Sequence, residues 1–138
     1  MMKKPFTPKY PYVYMRRYPQ KLTKEFCWEM LKTGNYYALQ YIPKSSFDDE
    51  MFYYALQYES FALRMLNTYH TPFKPEFCIA AVTKYPLESL SNVFHQGPKI
   101  EDSHDLWMEL IKASEYSFVW IPKPSEAQKS LHKMLWEV

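Results

Sequence analysis

Residues 25–31 read EFCWEML and residues 76–82 read EFCIAAV, an acid followed by Phe-Cys and then by a second apolar pair. Two further segments share the layout, EMFYYAL at 50–56 and DLWMELI at 105–111. The apolar sets are Phe26, Cys27, Met30 and Leu31; Met51, Phe52, Ala55 and Leu56; Phe77, Cys78, Ala81 and Val82; and Leu106, Trp107, Leu110 and Ile111. A spacing of i, i+1, i+4 and i+5 gathers on one face of an α-helix, because about 3.6 residues make a turn. The leading acids stand at 25, 50, 76 and 105, so the motif recurs at intervals of 25, 26 and 29 residues. A period of that length marks a tandem repeat.

Each motif carries a helix-start signal: Thr23, Asp48-Asp49, Pro75-Glu76 and Ser103, with Ser125-Glu126 opening a fifth helix. Small oxygen-bearing side chains cap free N–H groups, Pro suits the first turn, and acids there oppose the helix dipole. Asp102 and Asp105 fit that capping role better than a metal site. Breaks follow at Thr33-Gly34-Asn35, Tyr58-Glu59, Lys84-Tyr85-Pro86 and Ala113-Ser114, where Gly34 supplies a left-handed C-cap. The pattern then predicts a shorter second helix over residues 36–42, 60–67, 87–94 and 115–121. Residues 125–137 place Ala127, Leu131, Met134 and Leu135 on one stripe, which reads as a terminal capping helix.

A lone hairpin of this size cannot bury both its faces, so neighbours must stack. The expected fold is all-α: short tandem helical hairpins in a solenoid-like stack over residues 22–138, preceded by an extended N-terminal arm over residues 1–21. The strings EFCWEML…YYALQYIP, EMFYYAL…FALRML and EFCIAAV…PLESL resemble the helical-hairpin repeats of a bacterial and giant-virus family of unknown function. The resemblance spans about residues 22–122 and implies an architecture, not an active site. The fourth unit departs from it, with Asp-Leu-Trp in place of Glu-Phe-Cys and a shorter link between helices.

Composition narrows the function classes. The 138 residues are 47% hydrophobic and 23% charged, as expected of one folded domain. No run reaches the ~20 apolar residues of a membrane span. The N-terminus lacks a signal-peptide core, so a cytoplasmic protein is expected. Two glycines cannot build a glycine-rich phosphate loop, and no nucleophile-elbow or Walker pattern occurs. No Cys-x-x-Cys or His-Glu-x-x-His spacing supports a metal, and no cofactor is implied. Cys27 and Cys78 share a repeat position two units apart, where helices stacked ~8–10 Å apart keep sulfurs beyond disulfide reach. They read as buried thiols. His70 and His95 follow the second helices of successive units, where Lys44 and Lys123 stand in the first and fourth; cations there stabilise helix C-termini. Glu25 and Glu29 read as exposed carboxylates, and a non-enzyme is expected.

Two surface features remain. The position after the first apolar pair holds Trp28, Tyr53, Ile79 and Met108, which form either a ligand-binding column or a flank covered by neighbouring helices. The arm holds six basic residues (Lys3, Lys4, Lys9, Arg16, Arg17, Lys21) and no acid, whereas the other residues hold 11 bases and 15 acids. Tyr10, Tyr12 and Tyr14 alternate with Pro11 and Val13 as in an extended strand, and four prolines oppose a regular helix. Such an arm suits an acidic protein surface, or single-stranded nucleic acid bound by Lys3, Lys4, Lys9, Arg16, Arg17 and Tyr18. It can also fold back and cover the first hairpin. The leading expectation is a protein-binding module. Fourteen Lys against three Arg, with scarce Gly and Ala, further suggest AT-rich coding DNA and a phage or mobile-element inhibitor or adaptor of a host protein.

Overall fold

Each of the four acid-led motifs is helical in the computed structural model, which describes residues 8–66, 74–96 and 103–137. The chain divides into two compact units, Met1–Pro72 and Phe73–Val138. In the first unit, α1 (Pro11–Arg17) and a 3-10 turn, η1 (Pro19–Lys21), precede α2 (Lys24–Lys32). The 3-10 helix η2 (Tyr36–Tyr41), α3 (Asp49–Leu56) and α4 (Ala62–Met65) follow. The second unit runs α5 (Pro75–Lys84), α6 (Pro86–Gln96), α7 (His104–Ala113), the 3-10 helix η3 (Glu115–Trp120) and α8 (Glu126–Trp136). No strand occurs among the described residues. All four second segments form near their predicted positions, two of them as 3-10 helices, a geometry suited to short runs.

Within each unit the hairpins pack like on like. In the first, α2 lies on α3 and η2 on α4; in the second, α5 lies on α7 and α6 on η3. The first helices share one register. Their third, fourth, seventh and eighth residues are buried, from Met51, Phe52, Ala55 and Leu56 to Leu106, Trp107, Leu110 and Ile111. In α2 the third residue, Phe26, is half-buried, with the Tyr14 ring of α1 centred 5.5 Å away. Cys27 and Cys78 take the fourth position as free, buried thiols. Trp107 takes it in α7, and its indole N–H is buried without a hydrogen-bond partner, a cost of roughly 1–3 kcal/mol.

Helix ends follow the sequence closely. Thr23 Oγ1 accepts from the Phe26 N–H at 3.1 Å, and Asp48 Oδ1 from the Met51 N–H at 3.2 Å. Ser125 and Gln128 form a reciprocal capping box. The Ser103 hydroxyl makes no cap bond. Gly34 has φ +92, with its N–H on the Leu31 carbonyl and the Asn35 N–H on that of Met30, a Schellman closure that a side chain at Gly34 would strain. The Ser46 hydroxyl donates to the Leu22 carbonyl at 2.6 Å, tying together the starts of the first two hairpins.

The second segments reveal a rule absent from the expectations. Each places a small residue, then a large apolar one, then another apolar residue three further on: Ala38-Leu39…Ile42, Ala62-Leu63…Leu66, Ser89-Leu90…Val93 and Ser117-Phe118…Ile121. All four small residues are buried. In the second unit each serine donates to the carbonyl of the seventh residue of the preceding helix, Ser89 to Ala81 at 3.0 Å and Ser117 to Leu110 at 2.7 Å. Those carbonyls also accept Tyr85 N–H at 2.7 Å and Ser114 N–H at 3.0 Å. In the first unit the equivalent carbonyls already have two donors. Met30 receives Thr33 Oγ1 at 3.0 Å and Asn35 N–H at 2.9 Å; Ala55 receives Tyr58 N–H at 3.1 Å and Glu59 N–H at 2.9 Å. Alanine therefore stands where the lone pairs are taken, and serine where one is open.

Two expectations are corrected. Residues 11–17 and 19–21 are helical, not extended. Pro11 occupies the first helical turn, where its missing N–H costs nothing, and Pro8 and Pro19 fall outside α1. α1 packs on η2 and buries Met15, so the segment folds back onto the first hairpin. On α8, the stripe Ala127, Leu131, Met134 and Leu135 is not the packing face, and Met134 is 73% exposed. The helix docks on α7 and η3 through Gln128, His132 and Trp136 instead. The His132 ring stacks on Phe118 at 4.4 Å, and Trp136 Nε1 donates to the Ile111 carbonyl at 2.8 Å. These directional contacts outweigh the apolar count.

The carbonyl rule predicts an asymmetry. Ser89→Ala and Ser117→Ala should each cost about 1 kcal/mol, the usual net value of one hydrogen bond. Ala38→Ser and Ala62→Ser should cost about 1–3 kcal/mol, because the new hydroxyl is buried where the aligned carbonyl of the preceding helix already has two donors. Urea unfolding of the four variants measures this, and serine tolerated equally at all four sites would refute the rule.

Burial pushes the Cys27 thiol up to about 11 and that of Cys78 up to about 12. As pH rises above the ordinary thiol range, the unfolded chain releases these protons while the folded chain keeps them. The unfolded state then binds fewer protons, so stability falls from about pH 9 towards 11. A Cys27→Ala/Cys78→Ala chain should show a shallower fall in urea unfolding between pH 8 and 10.5 (roughly the thiol titration window).

Candidate interaction surfaces

Lys3, Lys4 and His70 lie outside the described residues. Among the described residues of the N-terminal segment, Met15 is buried, Tyr12, Tyr14 and Tyr18 are half-buried, and the cations are exposed. Tyr12 meets Tyr37 edge-on at 6.1 Å and Tyr41 at 6.0 Å, and burial holds its hydroxyl above the ordinary tyrosine value. Tyr14 lies between Tyr18 at 5.2 Å and Phe26 at 5.5 Å. Lys9, Arg16, Arg17 and Lys21 are exposed. Three of these cations cover rings: Arg16 over Tyr41 at 5.9 Å, Lys21 over Tyr18 at 5.0 Å and Lys9 over Tyr10 at 5.6 Å. Tyr10, 65% exposed, is the one arm ring largely open to solvent among those named.

Trp28, Tyr53, Ile79 and Met108 are each the fifth residue of their helix, and all four are half-buried. The Trp28 indole meets the Tyr54 ring edge-on at 5.8 Å, and Lys32 Nζ lies 5.6 Å from the indole. With Glu25, Glu29 and Lys32 it lines a shallow depression of about 400 Å³. From Tyr54 the rings continue to Tyr58 at 5.4 Å and on to Tyr36, stacked on Tyr58 at 5.6 Å.

A second concavity was not foreseen. A groove of about 380 Å³ in the first unit is lined by Tyr37, Gln40, Phe61, Arg64 and Met65, from η2, α4 and the residue before α4. Tyr37 and Phe61 are 51% and 40% exposed. Each immediately precedes the buried small residue of its second segment, and Tyr116, also exposed, holds that place in η3. In these three segments the residue before the buried small one is exposed, while the residue after it is buried or half-buried. The alignment of Ala38, Ala62, Ser89 and Ser117 was therefore the signal that could have found this column.

Among the described residues no cluster of His, Cys, Asp and Glu is placed to hold a metal ion, and no helix is long and apolar enough to cross a membrane. His104 Nε2 lies 2.8 Å from Ser125 Oγ, with Asp105 beyond it at 3.7 Å from Nδ1. This has the order of a nucleophile triad without its working geometry. Ser125 Oγ already accepts the Gln128 N–H at 3.1 Å, and the Asp105 carboxylate is beyond hydrogen-bond range and fully exposed. The exposed ring of His95, in the last turn of α6, faces Phe94 at 5.0 Å and Trp120 at 6.3 Å.

Met15 is 1% exposed, so α1 is a structural part of the first unit. Met15→Ala should cost about 2–5 kcal/mol in urea unfolding, whereas Arg17→Ala should stay within about 0.5 kcal/mol. Equal, small effects would mean that α1 is not docked.

No family model, curated protein or solved structure matches this chain.

Proposed function

We propose that this protein acts by binding another protein, without cofactor or chemistry of its own, and that the groove of Tyr37, Gln40, Phe61, Arg64 and Met65 is the contact surface. The groove itself carries the reading: four of its five residues are Tyr, Phe, Arg and Met, types enriched in interface cores. Its aromatic rims stand on short segments whose buried faces are pinned to a first helix, so they offer contact area at low entropic cost. An inhibitor or adaptor that occupies a partner's surface works in this way. The same residues leave the hairpin repeat as scaffold, and the family resemblance and whole-chain stacking stay part of this proposal.

Nucleic-acid binding is the second reading, favoured by the exposed Lys9, Arg16, Arg17 and Lys21 on a segment without acids. It is the weaker one, because Tyr12 and Tyr14 are packed against the first hairpin instead of free to stack on bases.

Affinity capture from extract separates the two. A partner protein should be recovered by the intact chain and by a Lys9→Ala/Arg16→Ala/Arg17→Ala chain, and weakened at least roughly tenfold by Tyr37→Ala/Phe61→Ala. Recovery unchanged by the aromatic pair would contradict the proposed surface. Capture of nucleic acid that falls steeply with salt and needs the three cations would support the second reading.

A further inference from the structure

The groove is also marked by charge. Residues 36–47 and 60–66 hold Lys44 and Arg64 and no acid, while the acids of the described first unit stand at Glu25, Glu29, Asp48, Asp49, Glu50 and Glu59. Arg64 is exposed, and among the described residues no carboxylate pairs with it. The nearest acid in sequence, Glu59, accepts the Phe61 N–H at 3.3 Å and does not line the groove. On the other flank, Tyr37 meets Tyr12, and Arg16 covers Tyr41. A guanidinium thus stands in a short groove walled by Tyr37, Phe61 and Met65, with Gln40 able to donate or accept beside it.

From this charge complementarity, and resting on the reading of the groove as the binding surface, we infer that its occupant is an acidic peptide segment of a partner protein. One Asp or Glu would pair with Arg64, and a neighbouring aliphatic or aromatic side chain would lie between Tyr37 and Phe61. An Arg fork matches a carboxylate with two parallel hydrogen bonds, and the exposed faces of Tyr37 and Phe61 give a neighbouring apolar side chain something to pack on. A volume of about 380 Å³ holds one or two side chains. Nucleic acid fits less well. It needs a run of open rings beside a track of cations, whereas Tyr12 and Tyr41 pack on each other and Arg16 covers Tyr41.

The test is selection of displayed random peptides, roughly a dozen residues long, on the intact chain, on Arg64→Glu and on Tyr37→Ala/Phe61→Ala. Peptides enriched on the intact chain should carry an acid next to an apolar residue. They should bind at least roughly tenfold more weakly to both variants, and Arg64→Glu should select peptides with Lys or Arg in place of the acid. Single-stranded DNA of about twenty nucleotides should not compete with them. Enriched peptides that depend on Tyr37 and Phe61 but ignore Arg64→Glu would overturn the acidic occupant and leave the groove as the binding surface. Peptides indifferent to both variants, or no enrichment at all, would overturn both. Displacement by the oligonucleotide would transfer the site to nucleic acid.

Discussion

The contact that closes both hairpins of the second unit is that between a small side chain, Ser89 or Ser117, and the seventh residue of the preceding helix. A backbone carbonyl near the end of a first helix has two lone pairs, and a buried one must be satisfied or it costs stability. Where the loop supplies both donors, as at Met30 and Ala55, the second segment carries a buried alanine at the aligned position. Where the loop supplies one, at Ala81 and Leu110, the second segment brings a hydroxyl. In either case the residue must be small, because anything larger would push the second segment off the helix. The large residue beside it is buried at Leu39, Leu63 and Leu90, while Phe118 is half-buried under the His132 ring.

That seating decides what the surface can offer. With the small residue facing the first helix, the residue before it points away, which leaves Tyr37 and Phe61 on the outside of the first unit. The second segments of the two hairpins lie against each other, so these rings and Arg64 share one groove. The N-terminal helix adds to this side by packing on η2, with Tyr12 against Tyr37. The basic segment is therefore part of the scaffold, and three of its cations lie over tyrosine faces, two of its own and Tyr41 of η2.

The first helices were legible because their burial follows one strong periodic signal: acid, apolar pair, gap, apolar pair. Their boundaries were marked by capping side chains and by Gly34. The second segments were legible as positions but not as geometry, since runs of six residues such as Tyr36–Tyr41 are too short for periodicity to separate 3-10 from α-helix. The arm was misjudged because prolines were counted without regard to position, and Pro11 at the first turn favours the helix that Pro11 in the middle would break. On α8, counting apolar residues chose the wrong face. A ring stack and one indole hydrogen bond orient that helix, and neither leaves a periodic trace. The groove was missed for a related reason: attention went to large residues, whereas the alignment that exposes Tyr37 and Phe61 runs through alanine and serine.

The most direct measurement is NMR observation of the Ser89 and Ser117 side-chain hydroxyl protons in the folded chain. If each hydroxyl is locked between a second segment and the carbonyl beneath it, both protons should exchange slowly with water. They should also show cross-relaxation to Ala81 and Leu110 respectively. Rapid exchange at both sites, without contact to either residue, would mean that the hairpins are not closed in this way.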